Sequence, residues 1–320
     1  MMKLLIYNDQ LKEYIPLEEY EGPLRSRFPE VEIFSTDRDE EATGIIPEVD
    51  VVLTLSIPDP LIRLAGKLRW IQSIIVGVDP ILSLPSLRKD VLITSAQGIH
   101  GPQVSEMVFL FMLAFARRFP EVLRNQGRKV WKPWTGERLK GKKIGIVGIG
   151  AIGQEIARKA KAFGMTVYGV DRVDRRDFVD FYYEPKEIAR VAGEADYLVL
   201  SSPLTPETRN MVGEEVLSVM KPTSYFINVS RGGVVDHEAL IRHLKAKKIA
   251  GAGLDALPLE PLPETSELWE MENVIITPHV AGNVAGYAKD VLKIFEENLR
   301  RFMRGEKKNL INLIDREKGF

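Results

Sequence analysis

The chain contains no cysteine. A disulfide framework, a thiolate nucleophile and a cysteine-ligated zinc site are therefore excluded. Histidine is almost as scarce: His100, His237, His243 and His279 are the whole complement. Few side chains can thus carry a proton near neutral pH. No charge of one sign dominates, with 44 basic and 45 acidic residues and a net charge of −1. Nothing in that balance implies nucleic acid or an anionic membrane surface as a partner. Long apolar runs are missing as well. No window approaches the roughly 18 residues of a membrane span. The N-terminal run Leu4–Tyr7 is far shorter than the roughly 7–15 apolar residues of a secretory signal. It reads as a first strand, and the default expectation is a cytoplasmic protein.

What is present describes an ordinary globular chain. At roughly 150 residues per domain, a length of 320 residues predicts two domains. With 45% hydrophobic and 28% charged residues, both can bury a core. Short β-branched runs recur at Leu4–Tyr7, Val31–Phe34, Val51–Leu55, Trp70–Ile75 and Val91–Thr94. A second series follows at Ile144–Val147, Thr166–Val170, Tyr197–Leu200, Tyr225–Asn228, Ala250–Leu254 and Val274–Ile276. Continuous apolar strands separated by helical stretches predict parallel sheets covered on both faces. The fold class is therefore α/β, with two doubly wound parallel-sheet domains. Between the series, Val104–Arg117 is apolar nearly all round, which predicts a buried helix. The basic stretch Arg124–Lys143 reads as a partly exposed connector, and Ala285–Met303 as a last amphipathic helix.

The second series opens with KKIGIVGIGAIG, which holds G-x-G-x-x-G at Gly148, Gly150 and Gly153. A strand precedes it, a helical stretch follows, and Asp171 closes the next strand. In that setting Gly148 makes the tight turn, Gly150 admits a pyrophosphate, and Gly153 packs helix on strand. The helix N-terminus at Ala151 and Ile152 offers unpaired N–H groups to phosphate. Asp171 can accept both hydroxyls of an adenosine ribose, which favours NAD. Arg172, Arg175 and Arg176 follow and keep NADP open, since arginine suits a 2′-phosphate.

Three later strand ends carry reactive groups. Arg231 lies in NVSRGGVVDHEAL, Asp255 and Glu260 in GLDALPLEPLP, and His279 in ITPHVAGN. Reducing a ketone requires a proton on oxygen as hydride reaches carbon. A histidine can donate it, a carboxylate can orient the ring, and an arginine can anchor a carboxylate and polarise a carbonyl. His237 and His243 fall on a predicted helix beside basic residues and read as a solvated face, while His100 reads as structural. Trp131, Trp134 and Trp269 read as packing anchors. No metal-ligand spacing surrounds His279, so no metal site is expected.

The stretches IQSIIVGVD, IVGIGAIG, SPLTPETRNMV, INVSRGGVVDHEAL, AGAGLDALPLEPLP and NVIITPHVAG occur in one order. Together they resemble the D-isomer-specific 2-hydroxyacid dehydrogenases, the family of glyoxylate/hydroxypyruvate reductases. The resemblance implies a Rossmann dinucleotide-binding domain, residues 100–284, and a smaller flavodoxin-like substrate domain, residues 1–99 with 285–320. It implies a cleft between the domains and, usually, a homodimer. It assigns Arg231 to substrate, Glu260 to the histidine, and His279 to acid/base work. The backbone of Val76 and Gly77 would hold the substrate carboxylate, and Asp255 the nicotinamide carboxamide. Pro203, Leu204 and Thr208 would line the adenosine side, with Val229, Ser230 and Gly282 also along the cofactor. Ile75 and Val76 stand where the family often carries Ser or Ala, which leaves the substrate side chain open. An NAD-sensing binding protein and a phosphite or other small-anion dehydrogenase are alternatives on the same fold. Formate oxidation is disfavoured, since Glu260 stands where formate dehydrogenases of this fold carry glutamine.

Overall fold

The computed structural model describes residues 1–8 and 16–316. The chain divides into two compact units, Met1–Ile99 with Asn283–Phe320, and His100–Gly282.

The first unit is built on a five-stranded parallel sheet of β1 (Met2–Tyr7), β2 (Val31–Thr36), β3 (Val51–Thr54), β4 (Trp70–Ser73) and β5 (Leu92–Thr94), ordered β2-β1-β3-β4-β5. Side chains alternate between its faces. Leu4 and Ile6 enter one core cluster, and Leu5 and Tyr7 the other. Helix Tyr287–Met303 returns the chain to this unit. It buries Ala288, Val291, Leu292, Phe295, Leu299 and Phe302, a three-and-four spacing that makes one apolar stripe.

The second unit carries seven parallel strands: β6 (Lys143–Val147), β7 (Thr166–Val170), β8 (Phe181–Tyr183), β9 (Tyr197–Leu200), β10 (Tyr225–Asn228), β11 (Gly251–Leu254) and β12 (Val274–Ile276). Their order is β12-β11-β10-β9-β6-β7-β8. The sheet reverses direction between β6 and β9, and its two faces are covered by separate apolar clusters. Helix Ala151–Ala162 packs through Gly153, Ile156, Ala157 and Ala160. Among the described residues no helix is long and apolar enough to cross a membrane.

Several sequence expectations are corrected. Strand β8 was not anticipated, because its FYY run is short and partly exposed at the sheet edge. Helix Gly101–Ala116 is not buried all round, since Leu110 and Leu113 are exposed. Trp131 is almost fully exposed and packs no core, and Trp269 is also exposed, donating to the Pro263 carbonyl. His243 and His237 do not form a solvated face. His243 is buried against Glu214, and burial pushes the His237 pKa down to about 4.

Candidate active site

The strand ends of the larger sheet are level. Val147 is in register with Val170 and Leu200, Leu200 with Asn228, Asn228 with Leu254, and Leu254 with Ile276. Because all strands are parallel, every loop after these residues emerges on one edge. Ligands of doubly wound sheets bind at that edge, where the strand order reverses.

The first loop is the glycine turn. Gly148 has φ +92, and a Cβ on Gly153 would lie 2.0 Å from the Gly148 carbonyl oxygen. Both glycines are thus required by the chain's own packing. Gly150 is different: a Cβ there meets nothing within 4 Å. Its side is open to a group from outside the chain, which is what a pyrophosphate needs. Gly150 caps helix Ala151–Ala162, and no side chain caps that end. The first-turn N–H groups are therefore available to an anion. Asp171 follows β7, and its carboxylate accepts the N–H of Ile149 at 2.6 Å and of Val173 at 3.0 Å. Of the nearby arginines, Arg176 is held by Asp174, whereas the Arg175 Nε has no partner among the described residues. These residues fit a dinucleotide. One variant pair tests this reading of the glycines. Gly150→Ala should fold normally but bind NADH about tenfold or more weakly (a loss of about 1.4 kcal/mol). Gly153→Ala should lose thermal stability outright. Titration and melting curves check both, and equal behaviour of the two variants would refute the distinction.

The loops after β10, β11 and β12 are tied together by buried polar groups. The Asn228 amide donates to the carbonyls of Arg231 and Ala256, while its oxygen accepts from the Ser230 N–H and hydroxyl. A Cβ on Gly232 would meet the Leu257 backbone at 2.0 Å, so only glycine lets the Arg231 and Glu260 loops press together. Asp255, 2% exposed, accepts from the Thr277 hydroxyl and the Val280 N–H, and from Ala281 N–H. That clamp shapes the loop in which His279 takes a left-handed φ of +54. Such a backbone is uncommon outside glycine and is found at functional sites.

His279 Nδ1 lies 2.8 Å from Glu260 Oε2, and the other Glu260 oxygen accepts the Leu257 N–H at 2.8 Å. Burial raises the Glu260 pKa. Hydrogen bonds from His279 and Leu257 and the charges of His279 and Arg231 outweigh it, holding the carboxyl below its ordinary value. Glu260 is therefore an anion facing the imidazole. The other imidazole nitrogen, Nε2, remains for a substrate oxygen.

The description "D-isomer specific 2-hydroxyacid dehydrogenase, NAD binding domain" matches residues 109–281, more than half of the chain. The chain belongs to the D-isomer specific 2-hydroxyacid dehydrogenase family. It is 36% identical to the glyoxylate reductase of Korarchaeum cryptofilum, covering 82% of this chain and 81% of that protein. It is 32% identical to the D-3-phosphoglycerate dehydrogenase of Methanocaldococcus jannaschii, over 98% of its own length but only 60% of that relative. Its structure resembles the NADPH-dependent glyoxylate/hydroxypyruvate reductase of Sinorhizobium meliloti, solved with NADP and sulfate, with a TM-score of 0.87, 27% identity and full coverage of both chains. As a 2-hydroxyacid dehydrogenase, the chain is an oxidoreductase that uses NAD(P) and acts on CH–OH donors. The sensing and small-anion alternatives gain no support from these relatives.

For this family member the expected site residues fall into three groups. Arg231, Glu260 and His279 come together on neighbouring loops. Val76 and Gly77 belong to the first unit, in the loop after β4, where they are half-buried and their N–H groups have no partner among the described residues. The rest of the expected cofactor contacts serve the chain's own loops as well. Ser230 is buried on Asn228, Thr208 donates to the Pro203 carbonyl at 2.7 Å, and Gly282 lies against the His100 ring. Pro203 is exposed and Leu204 half-buried. Sequence reasoning missed Asn228 and Thr277. Their signal was a polar residue at a strand end inside an otherwise apolar run.

Proposed function

We propose that this protein reduces a small 2-oxo acid to the D-2-hydroxy acid, with His279 as the proton donor. The observation that carries this reading is the 2.8 Å contact of His279 Nδ1 with the Glu260 carboxylate, on loops adjoining Arg231 and level with the phosphate-binding turn. When bound, the dinucleotide supplies or takes the hydride. The phosphate turn at Gly148, Gly150, Ala151, Ile152 and Gly153 holds its pyrophosphate, and Asp171 its ribose. Arg172 and Arg175 allow NADP beside NAD. Pro203, Leu204, Thr208, Val229, Ser230 and Gly282 line the remaining length. Asp255 holds the His279 loop, and that is the part of its role its hydrogen bonds support most directly.

In this reading residues 1–99 and 285–320 bind the substrate, and 100–284 the dinucleotide. The paired N–H groups of Val76 and Gly77 take the substrate carboxylate. Arg231 polarises the carbonyl and neutralises negative charge as it develops on oxygen. His279 hands its proton to that oxygen, and Glu260 keeps the ring turned towards it. Glyoxylate is the first candidate substrate, as in the archaeal relative named for it. The assay is loss of reduced-nicotinamide absorbance with NADH and NADPH, each offered glyoxylate, hydroxypyruvate, pyruvate and phenylpyruvate. Turnover on at least one is expected. Cofactor binding without turnover on any would favour the sensing alternative.

A homodimer is part of the same reading, in the cytoplasm. Leu110, Leu113, Phe119 and Leu123 are exposed together on helices Gly101–Ala116 and Phe119–Gly127. Clustered exposed apolar side chains of this kind mark subunit contacts. Leu110→Asp with Leu123→Asp should convert a dimer to a monomer in sedimentation velocity. A wild-type chain that sediments as a monomer would refute the contact.

A further inference from the structure

The larger sheet has an amino edge, opposite the one that carries Arg231, Glu260 and His279. Pro222, Ala250 and Asn273 lie there, just before β10, β11 and β12. They border an open cleft of about 690 Å³, a size within the range of small-molecule sites. Because these strands are three or four residues long, about 10–13 Å of strand separates the cleft from the catalytic loops.

The cleft is cationic. Arg118, Arg124, Lys245 and Lys247 line it, against one carboxylate, Glu272. Arg118 pairs with Glu121 and Lys245 with Glu267, both outside the lining. Arg124 reaches Glu272 only at 3.8 Å. Lys247 is exposed and has no ion pair among the described residues. Arg124 stands one residue from Leu123, about 100° around the helix, and is thus turned off the stripe assigned to the subunit contact.

Two of these cations sit on an unfavourable backbone. Lys247 has φ +53 and Arg118 φ +56. Each ends a helix in the left-handed conformation, at the position where glycine is usual. After helix His237–Lys245 the Lys247 N–H donates to the Leu244 carbonyl at 3.1 Å and the Lys248 N–H to that of His243 at 2.9 Å. After helix Gly101–Ala116 the Arg118 N–H donates to the Phe115 carbonyl at 3.0 Å. Glycine would make both turns without a Cβ conflict. Helix C-termini attract cations, but Arg242 and Lys245 already meet that attraction in the last turn of His237–Lys245. Left-handed cations from two helices far apart in sequence thus meet at one cleft. A backbone outlier of this kind is a pointer to function.

We propose that this cleft is an accessory site for a small organic phosphate, its phosphate held by Lys247, Arg124 and Arg118 and its carbon skeleton lying against Leu244 and Ile249. Four cations exceed what a monocarboxylate needs, whereas a phosphate carries nearly two charges at neutral pH. Lysine holds phosphate as a point charge and arginine through paired N–H groups. The site is independent of the reductase reading, so its test does not use turnover. Inorganic pyrophosphate is the probe. It is titrated calorimetrically into the full chain saturated with NADH, so that the glycine turn is already filled. One pyrophosphate per chain is expected, bound more weakly as salt is added. Lys247→Gly should weaken it about tenfold, the worth of one charged contact, while the melting temperature holds or rises, because glycine suits that turn. Glu272→Gln should tighten it, by removing the carboxylate from the lining and releasing Arg124. A purely structural role for these residues predicts neither change in affinity. An absence of binding heat, or the parent's affinity in both variants, would overturn the site. Binding confined to the Leu110→Asp, Leu123→Asp protein would overturn it too, because the partner subunit would then cover the cleft.

Discussion

His279→Ala is expected to lower kcat for 2-oxo-acid reduction by about 10²–10⁴-fold, the share carried by a positioned general acid. No other histidine can take its place. His243 is buried on Glu214, and burial pushes the His237 pKa down to about 4. His100 is packed against Gly282. Dinucleotide affinity should move little, because three loops, those after β11, β10 and β9, lie between His279 and the glycine turn along the edge. The pair must therefore be read by separate measurements: NADH titration for binding and steady-state turnover for chemistry. Glu260→Gln supplies the second arm. Reduction needs the protonated donor, so activity falls as pH rises past the point where the donor loses its proton. Removing the facing anion disfavours the protonated ring and should move that fall to lower pH. A superimposable pH profile would separate Glu260 from His279 in function. A His279→Ala protein within about tenfold of the parent rate would remove His279 from the mechanism.

Much of this site was legible because its chemistry rides on strand ends. The eleven strands expected from apolar runs are all present, since parallel strands buried on both faces must be continuously apolar. Arg231, Glu260 and His279 follow three of them, and a level sheet edge does the rest. What could not be read is what depends on neighbours in space. The glycine pair at Gly232 allows backbone to come close, but only the structure shows that the backbone is that of Leu257. That the Asp255 carboxylate also accepts from Thr277, Val280 and Ala281 and so holds the His279 loop had no sign in its spacing. Leu110 and Leu113 belong to so apolar a helix that composition alone buried them, and only packing shows which stripe stays outside.

Arg231→Ala should reduce kcat/KM for the 2-oxo acid by about 10³-fold or more. Removing one donor to a developing oxyanion costs about 10²–10³ in kcat, and a lost carboxylate anchor adds to KM. The side chain is set up for this from several directions. Asn228 holds the Arg231 carbonyl, Gly232 presses the loop on Leu257, and one guanidinium nitrogen donates to the Ser230 carbonyl at 2.9 Å. Those contacts fix the backbone from which the guanidinium extends. Arg231→Lys should recover only a small part of the loss, because an ammonium keeps the charge but not the two parallel donors. Free guanidinium ion should restore more activity to Arg231→Ala than to Arg231→Lys, since only alanine leaves the volume for it. The Arg231 charge also helps hold Glu260 below its ordinary pKa. Its removal should raise that carboxyl's pKa and weaken the support of His279, so the alanine variant should lose more kcat than the anchor alone explains. Equal rates for lysine and arginine would reduce Arg231 to a point charge, and the carboxylate-binding fork would have to be sought elsewhere.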